Sequence, residues 1–156
     1  MKIGADSYGE VTLESLELVG TIKLNGTTVA KHLKVTGNLI ATSAHLHDVD
    51  VDGNVKLTDT TLDQKLRVTG SLQAVGSEFR QPLFFNGQKA RFSDCTLSGI
   101  TIQRDAAFKA KQVIELKGKT FIDGPVNFEG GNGEVLLYPG SKVRGSVSGG
   151  KLVHKN

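Results

Sequence analysis

A chain of 156 residues with a formal net charge of +3 is long enough for one domain and too weakly charged to announce a nucleic-acid or membrane-surface binder. Its 38% hydrophobic content, without a single Trp, is low for a compact globule but adequate for a thin, elongated core. One cysteine, Cys95, excludes an internal disulfide framework, and no stretch of 18 apolar residues is present, so no membrane span is expected.

In chain order, Met1-Lys2 leads into Ile3-Gly4-Ala5-Asp6 rather than an apolar run, so no secretory signal is expected. With the lone cysteine, this favours a reducing, cytoplasmic setting. Residues 1–13 are read as an N-terminal segment or cap, with helix-like spacing near Glu10–Glu14. A frame then recurs every 16–17 residues, anchored on Gly20, Gly37, Gly53, Gly70 and Gly87. Two residues before each glycine stand Leu18, Val35, Val51, Val68 and Phe85; four before stand Leu16, Leu33, Val49, Leu66 and Leu83. Two after come Ile22, Leu39, Val55 and Leu72; four after come Leu24, Ala41, Leu57 and Ala74; nine after come Val29, Leu46, Leu62 and Phe79.

Self-similarity at a fixed short period is the mark of a solenoid. Within a unit the apolar residues come in alternating pairs, which is strand spacing, and the position nine after the glycine supplies a third side. The glycine marks a corner, where positive φ is needed. Residues 14–153 are therefore assigned to one all-β domain, a parallel β-helix (solenoid) with three short strands per coil of about 17 residues. Residues 154–156 form a C-terminal tail. The general preference of parallel crossovers favours a right-handed coil.

Further along, Leu57-Thr-Asp-Thr-Thr-Leu62 echoes as Phe92-Ser-Asp-Cys-Thr-Leu97 at an offset of 35 residues, so one or two residues are inserted near Gly87. A bulge there turns Ala90 and Phe92 inward in place of Lys89 and Arg91. A sixth unit takes Arg104 at the glycine position, with Ile100, Ile102, Ala106, Phe108 and Val113 in register, and the Asp105–Lys111 stretch is read as solenoid. Hardly any loop exceeds two or three residues in this reading. Phe121–Phe128 is a further coil with Gly124 at its corner, and Val135, Leu137, Val143 and Val147 continue the alternation to about Val153.

Little in this pattern carries chemistry. Asp48-Val-Asp-Val-Asp-Gly-Asn-Val-Lys-Leu-Thr-Asp59 imitates a calcium loop. But Val49 and Val51 belong to the inward frame, so Asp48, Asp50 and Asp52 face outward at about 6.8 Å spacing, too far apart for one ion. Asp48, Asp50, Asp52 and Asp59 are the candidate metal residues, and the favoured reading is a solvated acidic ladder with no metal or cofactor required. His45 and His47 flank inward Leu46, and stacking by one coil sets Asp63 beside His47; these are read as an exposed polar face. Cys95 is read as a small corner residue. No nucleophile elbow, phosphate loop or zincin helix is present, so the chain is expected not to be an enzyme. The lysines of the basic last third alternate outward without aromatic platforms, so no nucleic-acid partner is expected.

The strings Val35-Thr-Gly-Asn-Leu39, Val51-Asp-Gly-Asn-Val55 and Val68-Thr-Gly-Ser-Leu72, in loop-poor coils of about 17 residues, resemble the bactofilins over Leu16 to Val147. The resemblance implies a right-handed parallel β-helix of a bacterial cytoskeletal protein that polymerises without nucleotide. The chain lacks that family's Pro-rich tail and apolar membrane-targeting start, and no membrane attachment is expected. Open solenoid ends independently favour end-to-end pairing, with Leu13, Leu16, Val147 and Leu152 as the candidate self-association contacts. The expected function is a structural scaffold whose partner is itself, as a homo-oligomer or filament. The alternative is a monomeric or dimeric solenoid displaying a flat face to a protein or glycan.

Overall fold

The structure, a computed structural model, describes residues 2–103 and 111–155, and every regular element among them is a strand. β1 (Lys2–Tyr8), β2 (Thr12–Asn25), β3 (Thr28–Thr42), β4 (His45–Thr58) and β6 (Leu66–Val75) are long, with the two-residue β5 (Thr61–Leu62) between the last two. They are followed by β7 (Glu78–Phe79), β8 (Leu83–Asn86), β9 (Lys89–Ser93), β10 (Thr96–Leu97), β11 (Ile100–Gln103) and β12 (Gln112–Lys117). The last coils hold β13 (Phe121–Ile122), β14 (Val126–Phe128), β15 (Gly133–Leu137), β16 (Lys142–Val143), β17 (Val147–Ser148) and β18 (Gly150–His154). Each strand pairs in parallel with the strand one coil away, giving a solenoid of about 9 turns.

The expected ladders form the core. On the first side, Leu18, Val35, Val51, Val68, Phe85, Ile102 and Phe128 stack in register, each at most 2% exposed. On the second side Ile22, Leu39, Val55, Leu72, Ala90, Ile114 and Val135 stack likewise, each at most 3% exposed. On the third side Val29, Leu46, Leu62, Phe79, Leu97 and Ile122 complete the triangle. Each Val, Leu, Ile or Phe among them contributes roughly 1.5–3 kcal/mol by leaving water. The one-residue insertion after Gly87 is present: Leu72 pairs with Ala90 and Ala74 with Phe92, both buried, while Arg91 is exposed.

In the early coils the first two sides are one continuous strand that bends at the glycine, rather than two short strands. Gly20, Gly37, Gly53 and Gly70 pair with one another at φ between +132 and +143, and Gly4 below Gly20 has +119. A Cβ on Gly53 would lie 1.9 Å from the carbonyl oxygen of Gly37 one coil below. The glycine is thus required by close stacking as well as by φ.

A second corner lies between sides two and three, of which the sequence marked only Cys95. Its buried members are Thr27, Ala44, Thr60, Ser77, Cys95, Thr120 and Ser141. Except before Thr120, the preceding residue turns the chain at positive φ, as at Gly26, Ser43, Asp59, Gly76, Asp94 and Gly140. The hydroxyls donate to carbonyls that also accept a backbone N–H from the adjacent coil: Thr60 to Thr58 at 3.0 Å, Ser77 to Val75 at 3.1 Å, Thr120 to Lys117 at 2.6 Å. Cys95 takes its place in this ladder, with its thiol 3.3 Å from the Ser93 carbonyl.

Four expectations change. Residues 2–8 are no separate cap but a strand of the first coil, in register with Leu18–Leu24, and Glu10–Glu14 forms no helical turn. That coil still closes the core with polar groups: Asp6 and Tyr8 stack under Ile22 and Leu24, and the Tyr8 hydroxyl donates to Asp6 at 2.8 Å. Second, Ile100 pairs with Leu83 but Ile114 pairs with Ala90, so seven extra residues enter between Gln103 and Gln112. Val113 therefore faces outward, half-buried, and Ile114 and Leu116 point in. Arg104, Ala106 and Phe108 lie outside the described residues, as does most of the Asp105–Lys111 stretch. Third, Gly124 sits at the corner between sides three and one, where a Cβ would meet the Ser98 carbonyl oxygen at 2.0 Å. Fourth, the last strand runs to His154, past the boundary drawn at residue 153.

Candidate functional site

The third side is short, and its outward residues from successive coils lie next to one another. His45 and His47 flank buried Leu46, and Leu46 stacks on Leu62, which brings Asp63 beside both rings. The Asp63 Oδ2 atom accepts from His45 Nε2 and lies 3.7 Å from His47 Nε2. Its Oδ1 accepts from Arg80 Nη1 at 2.9 Å, one further coil along. Arg80 also reaches Glu78, 3.5 Å away. The His47 Nδ1 atom is 3.2 Å from the Val29 carbonyl, to which it donates, and this turns Nε2 toward Asp63.

The carboxyl of Asp63 is held below its usual range, first by the hydrogen bond from His45 and further by the positive Arg80. It is the most sheltered member, with 19% of its side chain exposed against 43% for His45 and 34% for His47. The three ligand-type atoms of His45, His47 and Asp63 lie within 4.8 Å of one another, a convergence found nowhere else among the described residues. The sequence placed these groups together, but the diagonal reach of Asp63 to His45 depends on side-chain rotamers that spacing does not encode.

The acidic strand does not converge. Asp48 faces His32, 3.5 Å away. Asp50 stands in register between Lys34 and Arg67, and Asp52 between Thr36 and Thr69. Asp59 sits at the second corner with φ +48, across the coil from all three. An extended strand keeps these carboxylates apart, as the inward Val49 and Val51 require.

The second side carries a groove of about 420 Å³ alongside Asn38, Asn54 and Ser71. These side chains form a hydrogen-bonded ladder, with Asn54 donating to Asn38 at 3.0 Å and Ser71 donating to Asn54. At its far end Lys89 and Arg91 both pair with the nearly buried Glu115, at 3.2 and 3.0 Å. Cys95 is no reactive thiol: burial pushes its pKa up, and the adjacent Asp94 adds to the effect.

The ends differ from each other. Among the described residues β1 pairs only with β2, and β18 only with β15. Leu13 and Leu16 are partly buried against the core near the N-terminal end, and Val147 near the other, while Leu152 is 40% exposed. Leu137, Val143 and Leu152 line an open cavity of about 490 Å³ at the C-terminal end, rimmed by Lys142 and Arg144. No helix among the described residues is long and apolar enough to cross a membrane.

The fold and these sites define a parallel β-solenoid. Comparisons with protein-family models, curated proteins and solved structures find no match for this chain.

Proposed function

We propose that this chain is a non-enzymatic structural scaffold that associates head to tail through its solenoid ends, in the manner of a bactofilin-like cytoplasmic polymer. The observation that carries the reading is the complementarity of the two ends. The C-terminal end offers the edge of β18 and the apolar cavity between Leu137, Val143 and Leu152. The N-terminal end offers the edge of β1. Only another strand satisfies a row of ladder donors and acceptors fully.

Charge favours the unlike pairing. Residues 135–156 contain Lys142, Arg144, Lys151 and Lys155 and no acid, whereas residues 1–17 contain Asp6, Glu10, Glu14 and Glu17 against Lys2. Two C-terminal ends repel; a C-terminal and an N-terminal end attract. A heterologous contact of this kind does not close on itself unless its rotation allows a ring, so it extends into a rod.

Sedimentation velocity across a concentration series, with negative-stain microscopy, tests this. The expected result is rods that lengthen with concentration at low salt, shorten at 0.5 M salt by roughly the loss of screened charge attraction, and disappear in Leu152→Asp. A monomer at every concentration at low salt defeats the proposal. It would favour a scaffold displaying the groove beside Asn38, Asn54 and Ser71 to a protein or glycan.

A further inference from the structure

We infer that His45, His47 and Asp63 form a binding site for a first-row divalent transition-metal ion of the zinc class, clipping two successive coils together on the third side. It is independent of how the ends associate, since the cluster lies on a lateral face.

The donor set is the first argument. Two imidazole nitrogens and one carboxylate oxygen suit zinc, cobalt, nickel or copper, whereas calcium and magnesium take oxygen ligands alone. The geometry is the second. A tetrahedral ion with bonds of about 2.0–2.2 Å spreads its ligand atoms roughly 3.3 Å apart. Here His47 Nε2 and Asp63 Oδ2 are 3.7 Å apart, and all three atoms lie within 4.8 Å of one another. Seating an ion moves side-chain atoms by about an ångström and leaves the strands in place. The ion takes the place of the hydrogen bond between His45 and Asp63.

Third, the surrounding groups hold the ligands as the partners of a metal site do. The Val29 carbonyl accepts from His47 Nδ1 at 3.2 Å, which aims Nε2 at the site. Arg80 occupies Asp63 Oδ1 at 2.9 Å and leaves Oδ2 for the ion. Such contacts orient ligands and fix the imidazole tautomer. His45 and His47 sit on β4 and Asp63 directly follows β5; the residues beside them, Leu46 and Leu62, stack in register and are fully buried, so the scaffold beneath the site is rigid. The remaining position faces solvent and is open to water or to an external donor.

Cobalt(II) titrated into the untagged full-length chain provides the test, followed by the visible bands of tetrahedral cobalt and by competition with zinc. One equivalent should bind. His45→Ala, His47→Ala and Asp63→Asn should each weaken uptake at least tenfold, and His32→Ala should not change it, because His32 faces Asp48 instead. Absence of uptake by the parent chain, or undiminished uptake by any one of the three ligand variants, overturns the site. A measurement on the unmodified protein guards against a variant that misfolds. On adding zinc, the imidazole nitrogen resonances of His45 and His47 should shift together while those of His32 and His154 stay. Shifts of all four in parallel, or of neither His45 nor His47, overturn it equally.

Discussion

At the scale of single residues, the glycine corner is governed by distance. Most turn glycines are selected by φ alone, and Gly131 is one of these, with φ +72 and nothing within 4 Å of a Cβ. Gly53 adds a collision at 1.9 Å with a backbone atom that cannot move without displacing the coil below. Gly53→Ala should therefore cost about 3 kcal/mol, combining roughly 1–3 kcal/mol of backbone strain with roughly 1–3 kcal/mol of overpacking. Gly131→Ala should cost about 1 kcal/mol. Urea denaturation of the two variants checks this, and equal losses would show that stacking distance is not what selects the glycine. The same corner explains why period alone located Gly20 to Gly70 but misplaced Gly124. Gly124 also lies against a carbonyl one coil below, yet at a different corner, and composition does not distinguish corners.

At the scale of the strand, alternation revealed which side chains enter the core wherever coils stack without insertions. Val68 lies between Val51 and Phe85 in register and is 0% exposed, as its place in the frame requires. Val68→Asp should cost several kcal/mol, on the order of the whole stability, because an unpaired carboxylate is forced into an apolar stack. Val147→Asp, half-buried in a terminal coil, should cost clearly less. Thermal melts that rank the two in the opposite order would mean the core does not run through Val68. Legibility failed where the backbone leaves the period. Val113 fits the third side by count, but seven inserted residues before Gln112 set it on the second side instead, beside outward-facing Lys89. The second corner was legible only in part. The echo of Thr58-Asp59-Thr60 in Ser93-Asp94-Cys95 signals it, but the hydroxyl and thiol contacts, each to the carbonyl two residues back, depend on a backbone bend and side-chain rotamer that residue type alone does not give. For the candidate metal site the sequence supplied the neighbours, His45, His47 and Asp63, and their outward direction. It supplied neither the Val29 carbonyl nor the Arg80 contact, which come from coils before and after.

At the scale of the whole molecule, stability should vary along the rod. A solenoid's coils contact only their neighbours, so its stability is a sum of local terms and its ends open first. The central coils join strands of up to 15 residues over a complete apolar core, whereas β16 and β17 have two residues each and β18 lies at an edge. Amide hydrogen exchange on dilute protein should therefore be slowest across residues 29–75 and fastest across 141–155. The proposed head-to-tail association would change this in a defined way. When β18 of one copy meets β1 of the next, amides in both strands that faced water enter a ladder. Raising the concentration at low salt should slow exchange severalfold in β1 and β18 together and leave the centre unchanged. At an ionic strength of about 0.15 M the Debye length is roughly 8 Å, so the attraction between the acidic and basic ends fades further as salt rises and the added protection should fade with it. Larger species in the centrifuge without any new protection in β1 and β18 would place the contact on a flat face and remove the ends from the assembly.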